Sequence, residues 1–246
     1  MNFSLIKDKL IHFIKEQVQE SGLKGALLGL SGGVDSAVVA TLCKEALNEN
    51  CFALLMPSQF SNENNLKDAL NLCQILNLKH EIIEIKDILN AFLKASPTKD
   101  RLRIGNLSAR IRMSLLYDYS ARLNYLVAGT SNKSELTLGY GTIYGDLACA
   151  FNPIGELYKS DIYELARFLS LPEIFITKPA SADLYAGQSD EAELGFSYAK
   201  IDTLLKARDK GDESVLNTAD KELLKMIELR ESKNAFKRRL PTIAKL

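Results

Sequence analysis

Apolar residues near the start of the chain recur at steps of three and four. Phe3, Ile6, Leu10, Phe13, Ile14 and Val18 share one stripe, which predicts an amphipathic helix over Phe3–Val18. The next apolar segment, Lys24–Leu30, has strand length, and Ser31-Gly32-Gly33 and an apolar helix to about Leu47 follow it. Cys51–Met56 repeats the strand signal and is stopped by Pro57. Asn62–Leu78 regains helical period through Leu66, Ala69, Leu70, Cys73 and Leu76; Ile82, Ile83 and Ile85 mark a third strand, and Asp87–Lys94 a short helix. Asn106 offers an N-cap for a long helix to about Leu123, with Leu107, Ile111, Leu115 and Tyr119 four apart, and Tyr125–Ala128 reads as a fourth strand. Helical spacing returns at Lys159–Leu169, Phe196–Arg208 and Lys221–Glu231, whereas Leu171–Leu194, with Pro172, Pro179 and Gly187, reads as irregular. Strands that alternate with helices predict βαβ units, hence an α/β fold with a doubly wound parallel sheet and helices on both faces.

Composition narrows the function classes. The 31 Lys+Arg balance 31 Asp+Glu, so a dedicated nucleic-acid binder, with its basic footprint, is not expected. The longest apolar run, Cys51–Met56, is far shorter than the ~20 residues of a membrane helix, so no membrane partner is expected either. Cys43, Cys51, Cys73 and Cys149 form no CxxC pair and have no neighbouring His, which fits free thiols in a reducing cytoplasm. No linker or repeat divides the sequence, and residues 1–246 are expected to form one domain. The charge is nonetheless segregated: residues 233–246 hold Lys233, Lys237, Arg238, Arg239 and Lys245 without an acid, a tail suited to fold over a polyanionic ligand.

The chemistry concentrates first in Gly29-Leu30-Ser31-Gly32-Gly33-Val34-Asp35-Ser36, between the first strand and its helix. Glycines there let backbone N–H groups approach a phosphate, and a helix N-terminus adds about half a positive charge. Ser31 and Ser36 supply hydroxyl donors. Asp35 would repel phosphate unless Mg2+ bridges the two. The plain alternative is a strand-to-helix turn with Ser and Asp as caps. The loop is neither a Gly-Lys-Ser/Thr phosphate loop nor a GxGxxG dinucleotide turn.

This loop resembles the SGGxDS loop of the ATP pyrophosphatases, which cleave ATP between its α- and β-phosphates; NAD synthetases, GMP synthetase, asparagine and argininosuccinate synthetases and tRNA-thiolating enzymes share it. Further segments narrow the resemblance: Gly129–Asp146 (GTSNKSELTLGYGTIYGD), Pro153–Lys159 (PIGELYK), Lys178–Leu184 (KPASADL), Gly187–Gly195 (GQSDEAELG), Gly105–Met113 (GNLSARIRM) and Lys237-Arg238-Arg239. Taken in chain order, over residues 25–241, these segments make the chain similar to the ammonia-dependent NAD synthetases. The resemblance implies ATP-dependent amidation of deamido-NAD by ammonia, with AMP and pyrophosphate as by-products, in a homodimer. It places ATP on Gly29–Ser36, Thr130, Lys159 and Ser181, and Mg2+ on Asp35 and Glu135. Deamido-NAD is placed on Arg110, Tyr144, Asp146 and Lys237, and Asp183 near the reacting carboxyl, so that Asp35, Lys159 and Asp183 form the catalytic set.

Ile143 stands where many ammonia-dependent members carry Lys, which removes one expected contact to deamido-NAD. No room is left for the amidase domain of the glutamine-dependent enzymes, so free ammonia is the expected nitrogen source. Gly139–Asp146 and Tyr185–Gly195 are expected to serve as lids, on their glycine content. The Phe3–Val18 and Asn106–Leu123 helices are candidates for the dimer contact, and neither His12 nor His80 is expected to be catalytic. The competing readings are another ATP pyrophosphatase amidotransferase of the GMP synthetase type and a non-enzymatic adenine-nucleotide sensor.

Overall fold

A computed structural model describes residues 1–181 and 188–244. Four parallel strands, β1 (Gly25–Gly29), β2 (Cys51–Leu55), β3 (Lys79–Ile82) and β4 (Tyr125–Val127), lie in the order β3-β2-β1-β4. Ala128 and Phe151 extend the far side by one parallel bridge. The helices are α1 (Phe3–Ser21), α2 (Val34–Leu47), α3 (Glu63–Ile75), α4 (Lys86–Ala95), α5 (Arg101–Leu123), α6 (Lys133–Leu138), α7 (Lys159–Phe168), α8 (Glu173–Thr177), α9 (Asp190–Leu194), α10 (Tyr198–Lys210), α11 (Glu213–Asn217) and α12 (Lys221–Lys233). The chain winds outward from β1 to β3 and then returns to the other side of β1 at β4. The reversal opens a crevice beyond the carboxyl ends of β1 and β4, where open α/β sheets bind ligands.

Strand alternation distributes the core. Ala26, Leu28, Ala53 and Leu55 point to one face, packed by α1, α2, α3, α7 and α8. Leu27, Leu54 and Val127 point to the other, against Leu89 of α4 and Ile111 and Tyr119 of α5. A third cluster, away from the sheet, joins Leu138, Tyr158, Ile201, Leu205, Leu223 and Ile227 of α6, α10, α12 and the start of α7. Truncating a fully buried leucine such as Leu28 to Ala in such a core costs about 2–5 kcal/mol.

Four expectations change. The long helix begins at Arg101 rather than at Asn106, because Asp100 is an earlier cap: its Oδ1 accepts the N–H of Leu102 at 2.9 Å and of Arg103 at 3.2 Å. Asn106 lies within the helix and accepts the Thr142 hydroxyl at 2.7 Å. The third strand ends at Ile82, with Ile83 and Ile85 still donating to the carbonyls of Leu55 and Pro57 at 2.9 Å. This is an edge strand whose polar Lys79 and His80 are exposed, so hydrophobicity alone misplaces it. The stretch Leu171–Leu194 contains α8 and α9 rather than irregular chain alone. The apolar stripe of α1 packs into the core, with Phe13 edge-on to Phe151 at 6.1 Å, and so is not available to a partner.

Candidate active site

The loop that leaves β1 is closed on itself. Ser31 N–H donates to Ser36 Oγ at 3.2 Å, the two hydroxyls lie 3.0 Å apart, Ser36 Oγ donates to the Gly33 carbonyl at 3.1 Å, and Gly33 N–H donates to Ser31 Oγ at 3.2 Å. Gly32 turns the chain at φ +83°, and a Cβ there would stand 2.2 Å from the Asn65 carbonyl oxygen of α3. Only glycine meets both demands. Gly33 is the N-cap of α2 and makes no side-chain cap, so the first amides of α2 are presented beside Asp35.

At the end of β4 the chain enters α6 through a reciprocal cap. Asn132 Oδ1 accepts the Glu135 N–H at 3.0 Å, and Glu135 Oε2 accepts the Asn132 N–H at 3.2 Å. Asn132 is completely buried, and its Nδ2 donates to Asp35 Oδ1 at 2.9 Å, which ties this helix start to the loop after β1. Lys159, the first residue of α7, lies 3% exposed between the two acids, with its Nζ 2.5 Å from Asp35 Oδ2 and 3.4 Å from Glu135 Oε1. Its own N–H is held by Ser134 Oγ at 2.9 Å, and that hydroxyl donates to Asp202 at 2.5 Å. Its charge also stands 5.4 Å from the Tyr198 ring centroid.

Burial alone would lower the Lys159 ammonium, but Asp35 and Glu135 outweigh it and hold it above the ordinary lysine range. Burial pushes Glu135 up to about 8; Lys159 opposes this, while Asp35 and Asp190 add to it. The Tyr198 phenol is raised by burial and by Glu135, Asp190 and Asp35, so it stays protonated and serves only as a wall and donor. Glu135 is therefore costly to ionise in this pocket without a further cation beside Lys159. Two hard carboxylates converging on one cation fit Mg2+, which is commonly held by one or two carboxylates plus phosphate oxygens. No cluster of three or more potential ligand side chains exists among the described residues, so the fit is to an ion that the phosphates share.

A second group of predicted residues gathers on the loop after α6. Gly139 turns at φ +61° against Asn234. Lys237, in the short 3-10 helix Ala235–Arg238, donates to the carbonyls of Gly139 and Gly141, both at 2.8 Å, and Arg238 donates to Thr137 at 2.7 Å. Arg110 of α5 donates to the Ile143 carbonyl at 3.3 Å, and Asp146 accepts the Thr142 N–H at 3.0 Å. Tyr144 is exposed and turns the chain at φ +57°. Arg110, Tyr144, Asp146 and Lys237 thus belong to one surface, bounded by α5 and the basic tail.

Thr130 is half-buried just beyond β4, and Ser181 is exposed at the edge of the described chain. Asp183, the first three residues (185–187) of the lid expected at Tyr185–Gly195, and Lys245 lie outside the described residues. The sequence reading missed Asn132, although Asn-x-x-Glu is a legible capping signal, and it missed Ser134 and Asp202, which no local signal marks. His12 is an exposed partner of Glu16, and His80 lies on the edge strand.

A family model described as NAD synthase matches residues 6–241. The NH(3)-dependent NAD(+) synthetase of Campylobacter jejuni is 61% identical over 246 residues, 100% of each chain. The solved structure of NH3-dependent NAD synthetase from Campylobacter jejuni, in complex with the nitrate ion, is similar with a TM-score of 0.89 at 57% identity over 100% of both chains. NMN synthetase from Francisella tularensis is similar with a TM-score of 0.93 at 32% identity, again over 100% of both chains.

Proposed function

The chain belongs to the NAD synthase family, and on that premise we propose that it amidates deamido-NAD with ammonia at the expense of ATP. It is a ligase of the last step of NAD biosynthesis. The observation that carries this reading is the ion-paired set Asp35–Lys159–Glu135, brought from three distant motifs to the switch point of the sheet.

The chemistry follows from the inertness of a carboxylate toward ammonia. A nicotinate oxygen attacks the α-phosphorus of ATP, forming an acyl-adenylate and releasing pyrophosphate; ammonia then attacks the acyl carbon and expels AMP. Gly29–Ser36 offers the uncapped α2 N-terminus to the departing pyrophosphate, and the Ser31 and Ser36 hydroxyls join it by exchanging their bonds within the loop for phosphate oxygens. Mg2+ held by Asp35 and Glu135 would offset charge building on that leaving group. Lys159 keeps the acid pair in register and offers a compact positive charge to the phosphates. Thr130 and Ser181 complete the ATP site, Arg110, Tyr144, Asp146 and Lys237 bind deamido-NAD, and the family resemblance assigns Asp183, outside the described residues, to the reacting carboxyl.

Further readings of the same kind concern assembly and environment. We assign the protein to a homodimer, supported by Ile88 and Phe92 of α4 and Leu102 of α5, which remain exposed although large and apolar. Buried free thiols at Cys43, Cys51 and Cys73 support a reducing, cytoplasmic setting. No helix among the described residues is long and apolar enough to cross a membrane.

The deciding assay supplies ATP, Mg2+ and ammonium with deamido-NAD. NAD, AMP and pyrophosphate in equal amounts are expected, and formation of ADP or no amide would overturn the reading. A second reading, amidation of the nicotinate mononucleotide, is favoured by the likeness to the Francisella tularensis NMN synthetase. Parallel kcat/KM values for the two acids decide between them.

A further inference from the structure

Lys178 follows α8 and takes no part in the acid pair, yet it sits against the back of the phosphate loop. Its Nζ donates to the Gly32 carbonyl at 3.1 Å and to Asn65 Oδ1 at 2.9 Å, and it pairs with Asp68 Oδ2 of α3. A lysine ammonium has three donors, and these acceptors use all three. The side chain is 22% exposed and Asp68 19% exposed, so the bond set is partly screened from water. Lys178 therefore has no donor left for a phosphate oxygen.

The bond to Gly32 matters because of peptide geometry. In a planar trans peptide the C=O and the following N–H point in opposite directions. The Gly32–Gly33 peptide is flanked by two residues without side chains, so its plane turns more easily than any other in the loop. Its carbonyl faces Lys178 on one side, and its N–H faces the Ser31 hydroxyl on the inner side. Fixing the oxygen outward fixes the N–H inward. The close approach of Gly32 to the Asn65 backbone places α3 in the same junction.

We propose that Lys178 is a positioning residue for pyrophosphate leaving-group binding: it clamps the Gly32–Gly33 peptide so that the Gly33 amide stays on the inner side of the loop, where it holds the Ser31 hydroxyl in place. The inference rests on the assignment of Gly29–Ser36 to ATP phosphates, and it adds a residue that touches neither substrate.

The test compares wild type with Lys178→Met and Lys178→Arg. Wild-type turnover of deamido-NAD checks the assigned reaction independently of either variant. In Lys178→Met, KM for ATP and the inhibition constant of inorganic pyrophosphate are expected to rise together by about tenfold, with KM for deamido-NAD within about twofold. Lys178→Arg keeps the charge opposite Asp68, but a planar fork cannot give three bonds to acceptors converging on one nitrogen; a rise of about threefold in both constants is expected. If Lys178→Met does not fold, the arginine variant decides alone. Unchanged ATP and pyrophosphate constants in a folded variant overturn the proposal. So does a parallel rise of both substrate KM values with a lowered melting temperature, which marks a merely structural role.

Discussion

At the residue scale, the site depends on three side chains whose charges do not cancel. Asp35 and Glu135 share Lys159, and burial, reinforced by the neighbouring Asp35 and Asp190, displaces Glu135 upward to about 8. Asp35→Asn keeps the shape and the Asn132 contact on one oxygen while removing the charge. Pyrophosphate release is expected to fall by about 10²–10³-fold, with far-UV circular dichroism unchanged. Lys159→Met has the opposite profile, because it leaves two part-buried acids without the cation they share. A loss of about 3 kcal/mol in urea unfolding is expected, part of it regained in the Lys159→Met/Glu135→Gln double variant. Equal stability of the single and double variants would show that the acids do not repel. This residue-level picture was only partly legible beforehand: Asp35, Glu135 and Lys159 stand in recognisable segments, but their mutual pairing spans 124 and 24 residues and has no local trace. Asn132 was written in the sequence as a cap, and only the packed structure gives its amide a second partner in Asp35.

At the element scale, periodicity identified the buried strands and amphipathic helices because each has one apolar surface to satisfy. It placed α1, α2, β1, β2 and β4 within a few residues. It failed where an element's stability comes from elsewhere. The edge strand β3 is defined by backbone pairing with β2 and carries few inward side chains. The short helices α8, α9 and α11 are held by contacts with their neighbours, and five residues carry too little pattern to announce a helix. The start of α5 shows a related competition, since two residues capable of capping lie within two turns and the earlier one prevails. Asp100→Ala is expected to cost about 1 kcal/mol in chemical denaturation, whereas Asn106→Ala should leave the helix start intact and loosen only the Thr142 contact. Amide exchange in Leu102–Ile104 distinguishes the two.

At the scale of the whole molecule, charge balance hides an arrangement in which the basic tail returns to the loop after α6. Lys237 spends its donors on two backbone carbonyls of that loop, so the tail shapes this surface as much as it charges it. Lys237→Met is therefore expected to raise KM for deamido-NAD by about tenfold while KM for ATP stays within about twofold. Comparable increases for both substrates would contradict a division of the molecule into a nucleotide half and an acid-substrate half. That division turns on α6, which starts at the acid pair and ends at the pinned loop. Its first turn uses one oxygen of Glu135 to begin the helix and the other to face Lys159. Heredity meets this position twice: a chance replacement at 135 costs about 1 kcal/mol of helix start as well as the carboxylate facing Lys159. Glutamine, which still closes the cap, is a change expected to part the two, keeping the folded enzyme while removing the charge beside Lys159.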